Sequence, residues 1–278
     1  MILPVVEADD PRIAAFRDVR ERDLVGRQGS FMAEGEVVLR LLVSHLPVSH
    51  LPASRLGTAD GHGLRALLLS EAQAMRLADV IAALPEDVPV YVAGQKVMDQ
   101  VVGFPIHRGI LALGAARPLP EPGALLDRLG ERALVVVALG LTNHDNMGGI
   151  FRNAAAFGAD AVLIDAASCD PLYRKAIRVS VGASLVVPFA RVADGASAVD
   201  LLKARGFEVV ALSPAGREPL SRLVRPPRVA ALFGTEGPGL PAAVMAMTRT
   251  VAIPMAEGFD SLNVATTSGI VLHHLSGV

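Results

Sequence analysis

ALVVVALG (133–140) is followed, after seven residues, by the helix-like GGIFRNAAAFG (148–158) and then by a second apolar run, AVLID (161–165). Continuous runs of β-branched residues separated by helical segments are typical of a parallel sheet with both faces covered. The same rhythm continues toward the C-terminus in SLVVPFARV (184–192), FEVVALS (207–213), RVAALFG (228–234) and TVAIPM (250–255). These patterns predict that residues 128–278 form an α/β domain with a mostly parallel sheet.

A linker is predicted upstream of that domain. AARPLPEPGALLD (115–127) places three prolines and a glycine between two well-patterned regions. Before it, short apolar runs such as VPVYVAG (88–94) alternate with helical segments such as EAQAMRLADVIAAL (71–84). Residues 1–114 are therefore predicted to form a separate, smaller α/β domain.

Composition limits the possible functions. The 278 residues are 51% hydrophobic, enough for sizeable cores, and no apolar run approaches the roughly 20 residues that span a bilayer. The N-terminus lacks a signal-peptide pattern, so a cytoplasmic location is expected. The net charge of −2 gives no global attraction for nucleic acid, so any RNA contact must depend on local arginines.

Familiar cofactor and metal signatures are missing from the expected places. Neither half has a GxGxxG turn after its first strand, and there is no GxxxxGK[ST], GxSxG or HExxH motif. The single cysteine, Cys169, has no partner for a disulfide. His45, His50 and His62 share no fixed spacing, so no metal site is expected.

Three glycine-rich blocks carry polar residues in apolar surroundings: NHDNMGGIFRNAAAFGAD (143–160), ALFGTEGPGL (231–240) and IPMAEGFDSLNVATTSGIVLHHL (253–275). Each follows or interrupts an apolar run, which predicts loops at element ends. Ligands on parallel sheets bind beyond the carboxyl ends of the strands. The blocks therefore predict a functional site.

Each block also has a simpler explanation. Asn146 and Arg152 could reach one pocket, or Asn146 could only cap a helix with Arg152 on its solvated face. Glu236 could orient a substrate beside a glycine turn, or lie near the start of the next helix. Ser261 is predicted to be the N-cap of the last helix, with the donating and accepting amide of Asn263 in its first turn.

Taken together, the blocks resemble the three signature motifs of the SpoU (TrmH-like) 2′-O-ribose RNA methyltransferases of the SPOUT superfamily. YRKAIRVSVGAS (173–184) resembles the family's segment between the first two motifs. The resemblance covers roughly residues 133–275, and the preceding region resembles ribosomal RNA-binding proteins of the L30e type in its element order. One departure is His144-Asp145, where many relatives have a proline in the turn. It leaves the key residues in place, but the resemblance then does not fix the geometry of this loop.

The resemblance implies an S-adenosylmethionine-dependent RNA methyltransferase with a trefoil-knotted C-terminal domain, acting as a homodimer and requiring no metal. The separate N-terminal domain favours structured rRNA over tRNA as the substrate. Carried over by motif, the catalytic and substrate-handling residues are Asn146, Arg152, Glu236 and Asn263, supported by Ser261. The implied cofactor-binding residues are Leu212, Phe233, Gly234, Gly237, Ile253, Met255 and Leu262.

Two other functions compete with this one. A chain that keeps the SPOUT fold could bind RNA without transferring methyl groups, although all the motif's polar residues are present. A Rossmann-type oxidoreductase would need a phosphate-binding glycine turn, and the sequence has none in the required position.

Overall fold

The computed structural model describes residues 2–17, 29–46, 61–103, 108–235, 237–259 and 261–276. The chain divides into two compact units. The first comprises Met1–Arg117 and Leu172–Val186, and the second comprises Pro118–Pro171 and Val187–Val278. Residues 172–186, which the sequence places in the second domain, thus belong to the first unit. Within the described ranges, no helix combines the length and the apolar character needed to cross a bilayer.

The first unit is built on a five-stranded mixed sheet with the order β1-β4-β3-β5-β2. β1, β4 and β3 are parallel, whereas β5 runs antiparallel to both β3 and β2. Its strands are β1 (Ile2–Val5), β2 (Ser30–Glu34), β3 (Gly63–Ser70), β4 (Val90–Ala93) and β5 (Ile110–Ala115). Its helices up to Arg117 are a 3-10 turn (Pro11–Phe16), α1 (Glu36–Ser44), α2 (Glu71–Arg76), α3 (Ala78–Ala82) and α4 (Gln95–Val102).

The second unit contains a seven-stranded sheet in which every pairing is parallel, as the apolar runs predict. The strand order is β10-β12-β9-β11-β6-β7-β8. The strands are β6 (Ala133–Ala138), β7 (Ala161–Asp165), β8 (Phe189–Val192), β9 (Glu208–Leu212), β10 (Glu218–Pro219), β11 (Arg228–Phe233) and β12 (Arg249–Ala252). All six residues of β6 are buried, because a central parallel strand is covered on both faces.

The remaining helices are α5 (Pro122–Asp127), α6 (His144–Ala156), α7 (Arg174–Val179), α8 (Gly195–Lys203), α9 (Ala242–Ala246) and α10 (Val264–Ser276), with 3-10 turns at Ala183–Leu185 and Leu220–Arg222. α7 and the first of these 3-10 turns belong to the first unit. α5 lies inside the segment predicted to be a linker. It buries Leu125 and Leu126, so this segment is packed rather than extended.

Strand β12 lies between β9 and β10, although it comes after both in the chain. Only residues 213–217 connect β9 to β10. The amide of Ser213 donates to the carbonyl of Val251 at 3.0 Å, and the amide of Arg217 donates to that of Thr250 at 3.1 Å. A Cβ at Gly216 would overlap the backbone of β12, so only glycine allows this approach. The connection therefore lies directly against β12.

Candidate functional site

A cavity of about 390 Å³ opens at the carboxyl ends of β9, β11 and β12, which are neighbours in the parallel sheet. The structure brings together at this cavity all seven residues that the sequence motifs implicate in cofactor binding. The lining residues are Leu212, Ser213, Pro214, Phe233, Gly234, Thr235, Gly237, Gly239, Val251, Ile253, Met255, Ser261, Leu262, Asn263, Val264 and Thr267.

The turn after β11 forms one wall of the cavity. The amide of Gly239 donates to the carbonyl of Thr235 at 3.2 Å, so the chain folds back on itself. A Cβ at Gly234 would lie 2.6 Å from the carbonyl carbon of Gly239, and Gly237 has a φ of +90°. Glycine is therefore needed at these two positions, and the main chain itself forms this wall of the cavity. Glu236, predicted to act in this turn, lies outside the described residues.

Asn263 is the N-cap of α10. Its Oδ1 accepts hydrogen bonds from the amides of Ala265 at 2.9 Å and Thr266 at 3.2 Å. The prediction that Ser261 caps this helix is wrong, because the helix begins only at Val264 and Asn263 supplies the oxygen. Ser261 is instead exposed and lines the cavity.

Asn146 is buried, with 5% of its surface exposed, and its side chain meets that of Asn263. The Nδ2 group of Asn263 donates to Oδ1 of Asn146 at 2.9 Å. The helix cap is Asn143, whose Oδ1 accepts from the amides of Asp145 at 2.7 Å and Asn146 at 3.4 Å. The simpler explanation, in which Asn146 only caps α6, is therefore wrong.

The loop that leads into α6 is held by Asp165, at the end of β7. The amide of Gly140 donates to both Asp165 oxygens at 3.0 Å. The buried Ser168 hydroxyl donates to Asp165 Oδ1 at 2.6 Å and accepts from the amide of Leu141 at 3.0 Å. These contacts fix the chain just before Asn143. Asp165 is not among the residues predicted for the site, although a carboxylate at the end of a buried strand is a usable signal.

Arg152 is the motif residue that the structure keeps apart from the others. It is exposed on α6 and is not among the residues that line the cavity. It is six positions after Asn146, so the two side chains leave the helix about 120° apart around its axis. The structure thus brings Asn146, Ser261 and Asn263 to the cavity region, and leaves Arg152 on another face of the same helix.

The described residues contain no cluster of three or more His, Cys, Asp or Glu side chains able to hold a metal ion. Of the histidines considered from the sequence, His50 lies outside the described residues. His62 is buried, and its Nδ1 accepts from the amide of Arg117 at 3.2 Å.

The single cysteine is also accounted for. Partial burial, helped by the charge of Asp170, raises the pKa of the Cys169 thiol to about 11. Cys169 is therefore a protonated thiol at neutral pH.

Comparison with known proteins matches residues 133–273 to the SpoU rRNA Methylase family. An uncharacterized tRNA/rRNA methyltransferase of Mycobacterium bovis is 38% identical over 97% of this chain and 90% of that protein. The 23S rRNA (guanosine-2′-O-)-methyltransferase RlmB of Photobacterium profundum is 30% identical over 75% of this chain and 87% of its own length. The crystal structure of an AdoMet-bound rRNA methyltransferase from Sinorhizobium meliloti has a TM-score of 0.79 at 23% identity, covering 99% of this chain and 97% of that one.

Proposed function

Since the chain belongs to the SpoU rRNA methylase family, we propose that it transfers a methyl group from S-adenosylmethionine to a ribose 2′-hydroxyl of a structured RNA. The RlmB relative, whose name specifies a guanosine 2′-O position in 23S rRNA, supports ribose as the acceptor. We favour rRNA over tRNA because the N-terminal unit offers a second surface for a structured RNA. We propose that the reaction takes place in the cytoplasm, the location predicted from the sequence.

The cavity is the observation that carries this proposal. Its volume of about 390 Å³ lies in the range of small-molecule sites. Its wall consists of apolar side chains such as Leu212, Phe233 and Ile253, together with glycine backbone that cannot accept a Cβ at Gly234. Such a wall suits a purine that is held by main-chain hydrogen bonds and apolar contact. The residues present therefore fit S-adenosylmethionine.

When bound, S-adenosylmethionine supplies an activated sulfonium methyl group, so the protein's main task is alignment. Asn263 lies at the cavity wall and is tied to Asn146 by the 2.9 Å hydrogen bond. This bond fixes α6 and α10 relative to each other at the place where the ribose must approach. Ser261 lines the same wall and is a further polar group for the substrate. We assign Glu236 to substrate handling by its motif alone.

Arg152 is assigned to the RNA rather than to proton removal. A guanidinium stays protonated at neutral pH and is therefore a poor base. It is well suited to hold the phosphate next to the reacting ribose and to stabilise negative charge on the 2′-oxygen. Water or a substrate phosphate then takes the proton.

The exposed position of Arg152 favours a homodimer formed through the C-terminal unit. This side chain leaves α6 about 120° away from that of Asn146, and it does not line the cavity of its own chain. In the homodimer that fits this exposure, a second copy docks on this face with its own cavity beside Arg152. We propose that arrangement as the active form.

We also propose that the second unit is a trefoil knot. The short connection of residues 213–217 lies against β12, which is inserted between β9 and β10. Beyond β12, Nε2 of His274 in α10 hydrogen-bonds to the carbonyl of Leu223 at 2.7 Å. These contacts support a C-terminal segment that passes behind the connection of residues 213–217.

For the first unit, we propose an L30e-like RNA-binding role for residues 1–114, with residues 115–127 leading to the catalytic domain.

Methyl transfer from labelled S-adenosylmethionine tests the proposal. The purified chain is incubated with methyl-tritiated S-adenosylmethionine and, separately, with rRNA and tRNA that lack the modification. The expected result is label in rRNA, on a nucleotide whose 3′ linkage resists alkaline cleavage. Label on a base would overturn the ribose assignment. Cofactor and RNA binding without any transfer would instead identify an inactive RNA-binding protein.

A further inference from the structure

Asn153 ties helix α6 to helix α10 through two hydrogen bonds. Its Nδ2 group donates to the carbonyl of Ala265 at 2.7 Å and to the hydroxyl of Ser268 at 2.8 Å. The Ser268 hydroxyl in turn donates to the Ala265 carbonyl at 2.7 Å, and Ser268 is fully buried. The three groups form a closed triangle between the two helices.

Asn153 shares its face of α6 with Asn146 and Gly149. Residues three and seven positions apart lie on one side of a helix, and all three of these contact α10 or its cap. A Cβ at Gly149 would lie 2.5 Å from the Cβ of Ala265, so the two backbones approach closely at this point. The contact between the helices is thus anchored by an asparagine at each end and a glycine between them.

The two asparagines act on one continuous set of bonds. Asn146 accepts from Asn263, Asn263 accepts from the amide of Ala265, and the carbonyl of Ala265 accepts from Asn153. The whole sequence contains only four asparagines, at positions 143, 146, 153 and 263. All four lie in α6, at its cap or at the cap of α10.

We propose that Asn153 is a positioning residue that sets the register of α10 on α6, and so brings the Asn263 amide to Asn146 at the edge of the cavity. Asn153 is half-buried between the two helices, and a polar group in such a place can select one register, because sliding would break the hydrogen bonds that its donors make. The inference rests on the proposed function for its effect on catalysis. Its effect on the start of α10 does not depend on any activity.

The kinetic test uses Asn153→Ala, with Ser276→Ala as the matched control. Ser276→Ala also removes a hydroxyl that bonds to a helix carbonyl, but at the far end of α10. For Asn153→Ala, we expect kcat to fall at least tenfold at a temperature well below Tm, with the KM for S-adenosylmethionine within threefold of the wild type. Adding Ser268→Ala to Asn153→Ala should lower kcat no further, since both changes break the same triangle. A kcat within twofold of the wild type would overturn the proposal.

Hydrogen exchange provides the second readout and separates the inference from the proposed function. The amides of Ala265 and Thr266 donate to Asn263, so they should exchange at least tenfold faster in Asn153→Ala, with the amides of β6 unchanged. If the wild type transfers no methyl group, the proposed function fails, and these two amides still decide the positioning role. Unchanged exchange at both would refute it.

Discussion

The side-chain amide of Asn263 performs two tasks at once: its oxygen caps α10, and its nitrogen donates to Asn146 at 2.9 Å. A helix start and a contact between helices thus depend on one residue. The two tasks use different atoms, so substitutions can separate them.

Replacing Asn263 with serine should keep the cap and lose the contact with Asn146. Serine is a good N-cap residue but is too short to reach α6, so we expect the free energy of unfolding to change by less than about 1 kcal/mol. Methyl transfer should nevertheless fall at least tenfold. Chemical denaturation and single-turnover assays measure the two effects. A large loss of stability with normal activity per folded molecule would contradict this division of roles.

Arg152→Ala should abolish methyl transfer while leaving the affinity for S-adenosylmethionine within several-fold. The reason is that Arg152 is exposed and does not line the cavity. Arg152→Lys should restore only part of the activity, because an ammonium cannot make the bidentate contact with phosphate. Calorimetry and labelled methyl transfer are the measurements. Arg128→Ala, at an exposed position near the amino end of β6, is the control. Equal losses of binding and transfer would show that Arg152 has a different role.

Gly234→Ala should weaken S-adenosylmethionine binding at least tenfold. The new Cβ would lie 2.6 Å from both the carbonyl carbon of Gly239 and the amide nitrogen of Leu240, so the turn that walls the cavity must shift. Gly130→Ala is the matched control, since a Cβ there meets nothing within 4 Å. Equilibrium binding compares the two variants. Wild-type affinity in Gly234→Ala would mean that this turn does not touch the cofactor.

The first unit should lose stability as the pH falls below about 6.5. Burial, with a smaller effect from the charge of Arg117, lowers the pKa of His62 from the ordinary histidine value of 6.5 to about 4. Between pH 4 and pH 6.5, the His62 imidazole binds a proton in the unfolded chain but not in the folded chain, so protonation favours unfolding. The contribution of this group to the free energy of unfolding is therefore complete above pH 6.5 and is lost as the pH falls toward 4. We expect protonation of His62 to lower the free energy of unfolding of the first unit by roughly 2 kcal/mol between pH 7 and pH 5.

Tyrosine fluorescence can follow this transition in urea. The chain has no tryptophan, and both tyrosines, Tyr91 and Tyr173, belong to the first unit. His62→Gln should remove most of the difference in unfolding free energy between the two pH values. An unchanged pH dependence in that variant would assign the effect to other groups.

The parallel sheet could be predicted because it depends on local pattern, whereas the residues now found around the cavity were implied by the resemblance to the SpoU motifs. Apolar runs identify the strands, and the residues that follow neighbouring parallel strands necessarily meet at one edge. The role of Asn153 could not be predicted from the sequence, since its hydrogen-bond partners lie 112 and 115 residues later in the chain. The predicted N-cap of α10 was Ser261 instead of Asn263, because both residue types are good caps and local sequence does not choose between them. In the structure, Asn263 caps the helix and also contacts Asn146.

Two other differences arise from long-range packing. Residues 172–186 have the pattern of one more helix beside the parallel sheet, but they belong to the first unit. There Arg174 pairs with the buried Glu34 at 2.8 Å, a contact that spans 140 residues. The proline-rich segment before β6 resembles a linker by composition, yet it contains the packed helix α5 because Leu125 and Leu126 find apolar partners.

The insertion of β12 between β9 and β10 also sets an order of events during synthesis. One wall of the cavity depends on residues 249–255, whereas the strands on both sides of β12 leave the ribosome earlier. Until β12 emerges, β9 and β10 lack their shared partner, and the nascent chain has no complete place to receive a cofactor. Competence for chemistry is therefore acquired only after β12 has been synthesised, later than both of the strands that flank it.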